Sequence, residues 1–272
     1  MTRPRLHEWN HDFTWIDHDV DPAFLSAAQV RQFDEQGFFV LEDVFTADEL
    51  APVVDELDRL EARTDAFLQQ AEGGRIMIAE TGAITFSPNL VRGSETLADF
   101  TRHPALLAIC SDLIGPDVNL YWDQAVYKKP EKPRRFPWHQ DNGYTFVEPQ
   151  QYLTCWVSLN GATLENGCPQ VAPGLHRLGT LHHDYVEPLG WQIFEEAPDV
   201  EVAPVGAGGV VVFSSLTPHL TGPNTTDDVR KAYIVQYAPD GAMALSDPDT
   251  RVAMNDPAFQ FPVLRDGQPV AG

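Results

Sequence analysis

From about residue 117 the chain breaks into short apolar runs, at 117–128, 152–159, 168–172, 209–215 and 231–238. Between them stand Asn160-Gly161, Asn166-Gly167, Pro173-Gly174 and the stretch from Gly206 to Gly209. Gly and Asn supply the positive φ of tight turns and Pro is barred from central strands, so this punctuation separates short strands. A succession of such strands predicts a sandwich, barrel or jelly roll.

The first third reads differently. Ser26 caps a helix whose apolar positions Val30 and Phe33 share one side and whose end is marked by Gly37; Phe38 to Leu41 follows as a strand. Thr46-Ala47-Asp48-Glu49 is a capping box, Phe45 and Leu50 form a hydrophobic staple, and Val53, Leu57 and Leu60 continue the helical stripe. His103 to Leu113, closed by Gly115, is a shorter helix that buries Leu106, Leu107 and Ile109. Residues 176–200 carry no assignable pattern, and a loop of that length beside a site is often a lid. The Asp- and Pro-rich stretch from Asp247 to Gly272 is expected to wrap the surface. All-β barrels of 272 residues commonly stay single. The expectation is one domain over 1–272, with a helical buttress at about 20–115, a strand core at about 117–240 and a C-terminal surface segment.

Composition narrows the function classes. Eighteen Lys and Arg against 40 Asp and Glu leave a net charge of −22, which argues against nucleic acid or an anionic membrane as partner, since both demand cationic surface. Cys110, Cys155 and Cys168 are widely spaced and lack a Cys-x-x-Cys, so neither a disulfide framework nor a zinc knuckle follows. No stretch approaches a membrane span and the N-terminus lacks an apolar secretion segment, which makes the cytoplasm the expected location. Edge strands and the N-terminal helices leave monomer and homodimer both open.

Against this background Pro137-Trp138-His139-Gln140-Asp141-Asn142-Gly143 stands out. His139 and Asp141 place an imidazole and a carboxylate two residues apart, on one side of a strand end, as one metal requires. A third ligand from a distant strand would complete the two-histidine, one-carboxylate facial set that leaves three positions open on non-haem iron. His219 is the best candidate, with His103, His176, His182 and His183 as competitors. Arg230 lies eleven residues beyond His219, at the start of an apolar run, where its guanidinium can bind a carboxylate through two parallel hydrogen bonds. Metal site plus carboxylate anchor suggests an oxygenase that uses a 2-oxo acid.

The segment from Trp138 to Ala238 resembles the phytanoyl-CoA dioxygenase family. The matching pieces are Trp138-His139-Gln140-Asp141, then Ala162 to Cys168 running into Pro173-Gly174-Leu175-His176, then His219 with Arg230 beyond it. The stretch from Phe33 to Phe45 is similar to the family's entry segment, so the resemblance covers roughly 25–240. Leu175 departs from the family's usual Ser. The resemblance implies a mainly β fold with flanking helices, a double-stranded β-helix (jelly roll, cupin-like). It also implies dependence on iron(II), 2-oxoglutarate and O2. His139, Asp141 and His219 would ligate iron, and Arg230 would hold the distal carboxylate of 2-oxoglutarate with help from Thr221. Trp156 would wall the cosubstrate, and Gln124 would offer a polar contact. Oxidative decarboxylation to succinate and CO2 would drive hydroxylation or desaturation of an unactivated C–H bond. Related halogenases carry a small residue where this chain has Asp141, so chlorination is not expected.

Two further expectations concern the substrate, a small organic molecule. Lys128, Lys129, Lys132, Arg134 and Arg135 cluster just before His139; besides a solvated loop, they suggest a rim that attracts an anion such as a carboxylate or acyl thioester. Tyr144, Phe146, Ile76, Ile78 and Phe86 are candidates for the cavity wall or, equally, for core. The alternatives to an oxygenase are a non-catalytic cupin-like binding protein and a zinc-type hydrolase on the same barrel.

Overall fold

The helix signals act as read. In the computed structural model, which describes residues 4–19 and 21–272, Ser26 and Gln29 cap the helix Ala27–Gln36 reciprocally and Gly37 closes it at φ 87°. A Cβ at Gly37 would lie 2.5 Å from Thr217 Oγ1 and 2.6 Å from His176 Nδ1, so conformation and packing both require glycine. Thr46 and Glu49 form the same reciprocal cap on Ala47–Gln70, with Phe45 and Leu50 buried beside it. His103 caps Pro104–Leu113 by accepting from the Ala105 N–H. A short helix, Glu95–Phe100, capped by Ser94, was not anticipated.

The large antiparallel sheet runs Phe38–Leu41, Val210–Ser214, Leu153–Ser158, Arg230–Pro239, Val118–Lys128 and Ile84–Pro88, and continues into Ala79–Glu80 and Arg75–Ile76. A smaller sheet orders Glu201–Val202, Pro169–Val171, His219–Thr221 and Phe136–His139. Together they make the jelly roll. Period-two alternation then decides what each side chain meets. Cys155, Val157, Val210, Val212, Tyr233 and Val235 join the helices in one core. Their neighbours Trp156, Val211, Phe213, Ala232 and Ile234 face the barrel interior with Val171 of the second sheet and Cys168 just before its strand. By the same parity Arg230, Gln124 and Thr154 turn inward.

The C-terminal stretch is corrected. Pro262–Arg265 pairs with Val118–Lys128 and extends the large sheet, burying Val263 and Leu264. Asp266 and Gly267, both at positive φ, then turn the chain into Gln268–Pro269, the Asp-Gly hairpin that matches strand twist. Residues 176–200 form a turn at Leu175–Leu178 and a hairpin of Asp184–Val186 with Gly190–Gln192. Among the described residues no helix is long and apolar enough to cross a membrane.

Candidate metal and carboxylate site

His139 and His219 sit opposite each other across the Phe136–His139 and His219–Thr221 strands. Each ring is oriented the same way: His139 Nδ1 lies 2.9 Å from the Pro137 carbonyl and His219 Nδ1 3.0 Å from the Thr217 carbonyl. A carbonyl only accepts, so both Nδ1 atoms carry the proton and both Nε2 lone pairs remain available to a metal. The Nε2 atoms lie 3.8 and 3.9 Å from Asp141 Oδ1, and one donor atom from each residue falls within 4.8 Å of the others. Burial, reinforced by His219, holds His139 well below its usual pKa. It is therefore neutral, as a ligand must be.

Asp141 is aimed by its neighbours. Its Oδ2 accepts from the Thr154 hydroxyl at 2.6 Å, which leaves Oδ1 toward the histidines. Thr154 Oγ1 in turn accepts from Gln236 Nε2 at 3.2 Å. Between His139 and Asp141, Gln140 points the other way into the fold, donating to the Gly179 and Leu216 carbonyls and accepting from the Leu181 N–H. The Gln140 N–H donates to His183 Nε2 at 3.0 Å, so His183 supports the loop and has no free nitrogen for a metal. Its ring packs so closely on Gly143 that a Cβ there would lie 2.0 Å from Cε1.

Two predictions arise here. Thr154→Val should weaken Mn(II) binding about 10- to 100-fold, as losing a partner of a ligating carboxylate does, while Thr154→Ser retains it; equal affinity in Thr154→Val would refute the role. Burial lowers both His183 and His176 from 6.5 to about 4. Between those values the unfolded chain binds the protons, so stability is lost as pH falls from 6.5 toward 4, by on the order of 3 kcal/mol per residue. Urea denaturation across that range measures it, and a flat profile would contradict it.

The second half of the site is Arg230, 1% exposed. Its Nη1 donates to the Val126 carbonyl at 3.3 Å and its guanidinium lies 5.0 Å from the Trp156 ring centroid, yet Nε and Nη2 have no partner. Burial pushes its pKa down to about 9. A buried cation with unsatisfied donors is costly unless an anion meets it. Arg230, Thr221, Trp156 and Gln124 border one cleft with His139, Asp141 and His219. Thus the structure brings together all seven side chains singled out from sequence. Phe86, Phe136, Gln124, His139 and Asp141 also border a larger cavity of about 300 Å³.

The candidates for the cavity wall or core divide. Ile78, Phe86 and Tyr144 line the larger cavity, whereas Ile76 points to solvent and Phe146 packs on His7 and Trp9. Each member of the basic cluster has a partner in the fold. Lys129 pairs with Glu61 and Asp65, and Lys132 and Arg134 with Glu80. Arg135 donates to Gln192 and the Glu195 carbonyl. Lys128 is buried and donates to the carbonyls of Arg134, Thr221 and Gly222, fastening the end of the His219–Thr221 strand. Among the rival histidines, His103 is a helix cap and His182 faces Asp184.

The family description "Phytanoyl-CoA dioxygenase" matches residues 33–232. The chain belongs to that family. This dioxygenase is 27% identical over 241 residues to ectoine dioxygenase of Bordetella parapertussis, covering 78% of this chain and 75% of the relative. It is also 27% identical over 250 residues to a probable phytanoyl-CoA dioxygenase of Caenorhabditis elegans, covering 83% and 79%. Among solved structures the epimerase SnoN, in complex with Fe3+, alpha ketoglutarate and nogalamycin RO, superposes with a TM-score of 0.69. At 20% identity, over 86% of this chain and 97% of that one, the likeness concerns the fold. As a member of the family the dioxygenase depends on iron(II), 2-oxoglutarate and O2. In this dioxygenase Leu175 packs in one cluster with Trp138 and Leu220, so an apolar contact stands where the family has a hydroxyl.

Proposed function

We propose that His139, Asp141 and His219 bind iron(II) and that Arg230, with Thr221, binds the distal carboxylate of 2-oxoglutarate along the Trp156 ring, with Gln124 as a polar contact. The reaction is hydroxylation or desaturation of an unactivated C–H bond in a small organic molecule, with release of succinate and CO2. The observation that carries this reading is the pairing of a buried Arg230, two of whose donors are free, with a three-donor cluster on the same cleft. A pure binding module would gain nothing from that combination.

Iron, with 2-oxoglutarate as electron donor and O2 as oxidant, would supply the oxidising chemistry; the protein supplies placement and exclusion of water. The Pro137 and Thr217 carbonyls hold the two imidazoles in the ligating tautomer, and Thr154 presents one carboxylate oxygen of Asp141. Arg230 and the Trp156 face, both buried, orient the cosubstrate. The larger cavity, which also borders His139 and Asp141, receives the substrate. We read residues 1–272 as one oxygenase domain, because helices and strands share one core. Every donor comes from a single chain, so a monomer or a homodimer would serve equally. The test is iron-dependent succinate formation from 2-oxoglutarate. It should be lost in Asp141→Ala; wild-type rates in that variant, or none in the parent at any iron concentration, would contradict the reading.

A further inference from the structure

Two cavities border His139 and Asp141, and they differ in the charged groups that line them. The Arg230 cleft shows how this chain builds an anion site: a buried guanidinium with unpaired donors. Among the described residues, no Lys or Arg lines the 300 Å³ cavity. It is lined by the rings of Tyr121, Trp122, Tyr144 and Tyr152 and by the neutral polar groups of Gln124, Thr145 and Gln236. Arg134, the nearby cation of the basic cluster, is held by Glu80 and the Ile78 carbonyl. Arg75, on the hairpin that carries Ile78, is held by Glu187 and the Pro188 carbonyl.

Resting on the assignment of this cavity to the substrate, we propose that the substrate is an uncharged or cationic, ring-sized molecule bearing hydroxyl, carbonyl or amine groups, and that free acids and coenzyme A thioesters are excluded. An anion here would leave water without gaining a countercharge, would approach Asp141, and would enter from a chain of net charge −22. Neutral polar groups find partners. Gln236 uses its amide nitrogen on Thr154, so its carbonyl oxygen is left to accept from the ligand. Burial raises Tyr121 to about 12 and holds Tyr152 well above its usual value. Both phenols therefore keep their protons as donors, and aromatic faces tolerate or attract a cation.

The test uses three probes with one ring: 2-naphthalenemethanol, 2-naphthylmethylammonium and 2-naphthoate. Each is dialysed to equilibrium against protein loaded with Mn(II) and saturating 2-oxoglutarate, which blocks the Arg230 cleft. The alcohol and the ammonium should bind at least ten-fold tighter than the acid. Ile78→Arg, a change at a half-buried position of the cavity wall, should narrow or reverse that order, and Thr145→Trp should abolish alcohol binding without changing 2-oxoglutarate affinity. Naphthoate binding as tight as the alcohol, or no probe binding to protein that holds 2-oxoglutarate, overturns the proposal. Failure of 2-oxoglutarate to bind through Arg230 would instead overturn the cofactor assignment, and the charge order of the probes is read separately.

Discussion

Arg230→Met should make the cofactor-free protein more stable and the cofactor-bound protein far weaker. Removing an unpaired buried cation in favour of an apolar chain of similar length relieves about 1–4 kcal/mol, a rise of roughly 2–4 °C in Tm for each kcal/mol in a chain near this size. The same change deletes two charge-assisted donors to a carboxylate, so 2-oxoglutarate affinity should fall by about 100-fold or more, near 3 kcal/mol. Thermal denaturation with Mn(II), with and without 2-oxoglutarate, reads both effects. The parent's Tm should climb with 2-oxoglutarate concentration as ligand linkage demands, and the variant's should start higher and stay flat. A variant that is less stable without ligand and binds 2-oxoglutarate within threefold of the parent would mean that Arg230 is a structural cation.

Asp141→Ala has the second large effect. Two imidazoles remain, held in place by the Pro137 and Thr217 carbonyls, but the only carboxylate of the cluster is gone. Affinity for Mn(II) should drop by two to three orders of magnitude, about 3–4 kcal/mol, while the metal-free fold changes little because Asp141 touches its neighbours mainly through Thr154. Titration followed by electron paramagnetic resonance of free Mn(II) decides it. Unchanged affinity would show that the histidines and Asp141 do not act on one ion.

The site was legible in sequence where chemistry is written in spacing. His139 and Asp141 announce themselves two residues apart, whereas His219 separates from the other histidines only through a family resemblance. Gln124 and Trp156 needed the same help. Thr154 and Gln236 left one weak signal, a polar residue on the inward parity of an apolar strand; they meet each other on neighbouring strands far apart in sequence, and Asp141 comes from a separate loop. In the basic cluster, adjacency shows charges but not their neighbours. Glu61, Asp65 and Glu80, which neutralise much of it, come from the helical third. In the fold, caps and turns were read well since they are local, but the last strand was passed over. The Asp266-Gly267 turn was available there, and the pairing with Val118–Lys128 that buries Val263 was not. Phe146 and Ile76 sit near lining residues in sequence and face elsewhere, which only the register settles.

The most direct test of the central claim is an anaerobic titration of iron(II) and then 2-oxoglutarate into metal-free protein, followed in the visible region. The account predicts a charge-transfer band that needs both components, saturates at one iron per chain, and weakens in Asp141→Ala and in Arg230→Met. Iron bound without any band on addition of 2-oxoglutarate, or a band indifferent to both substitutions, would contradict it.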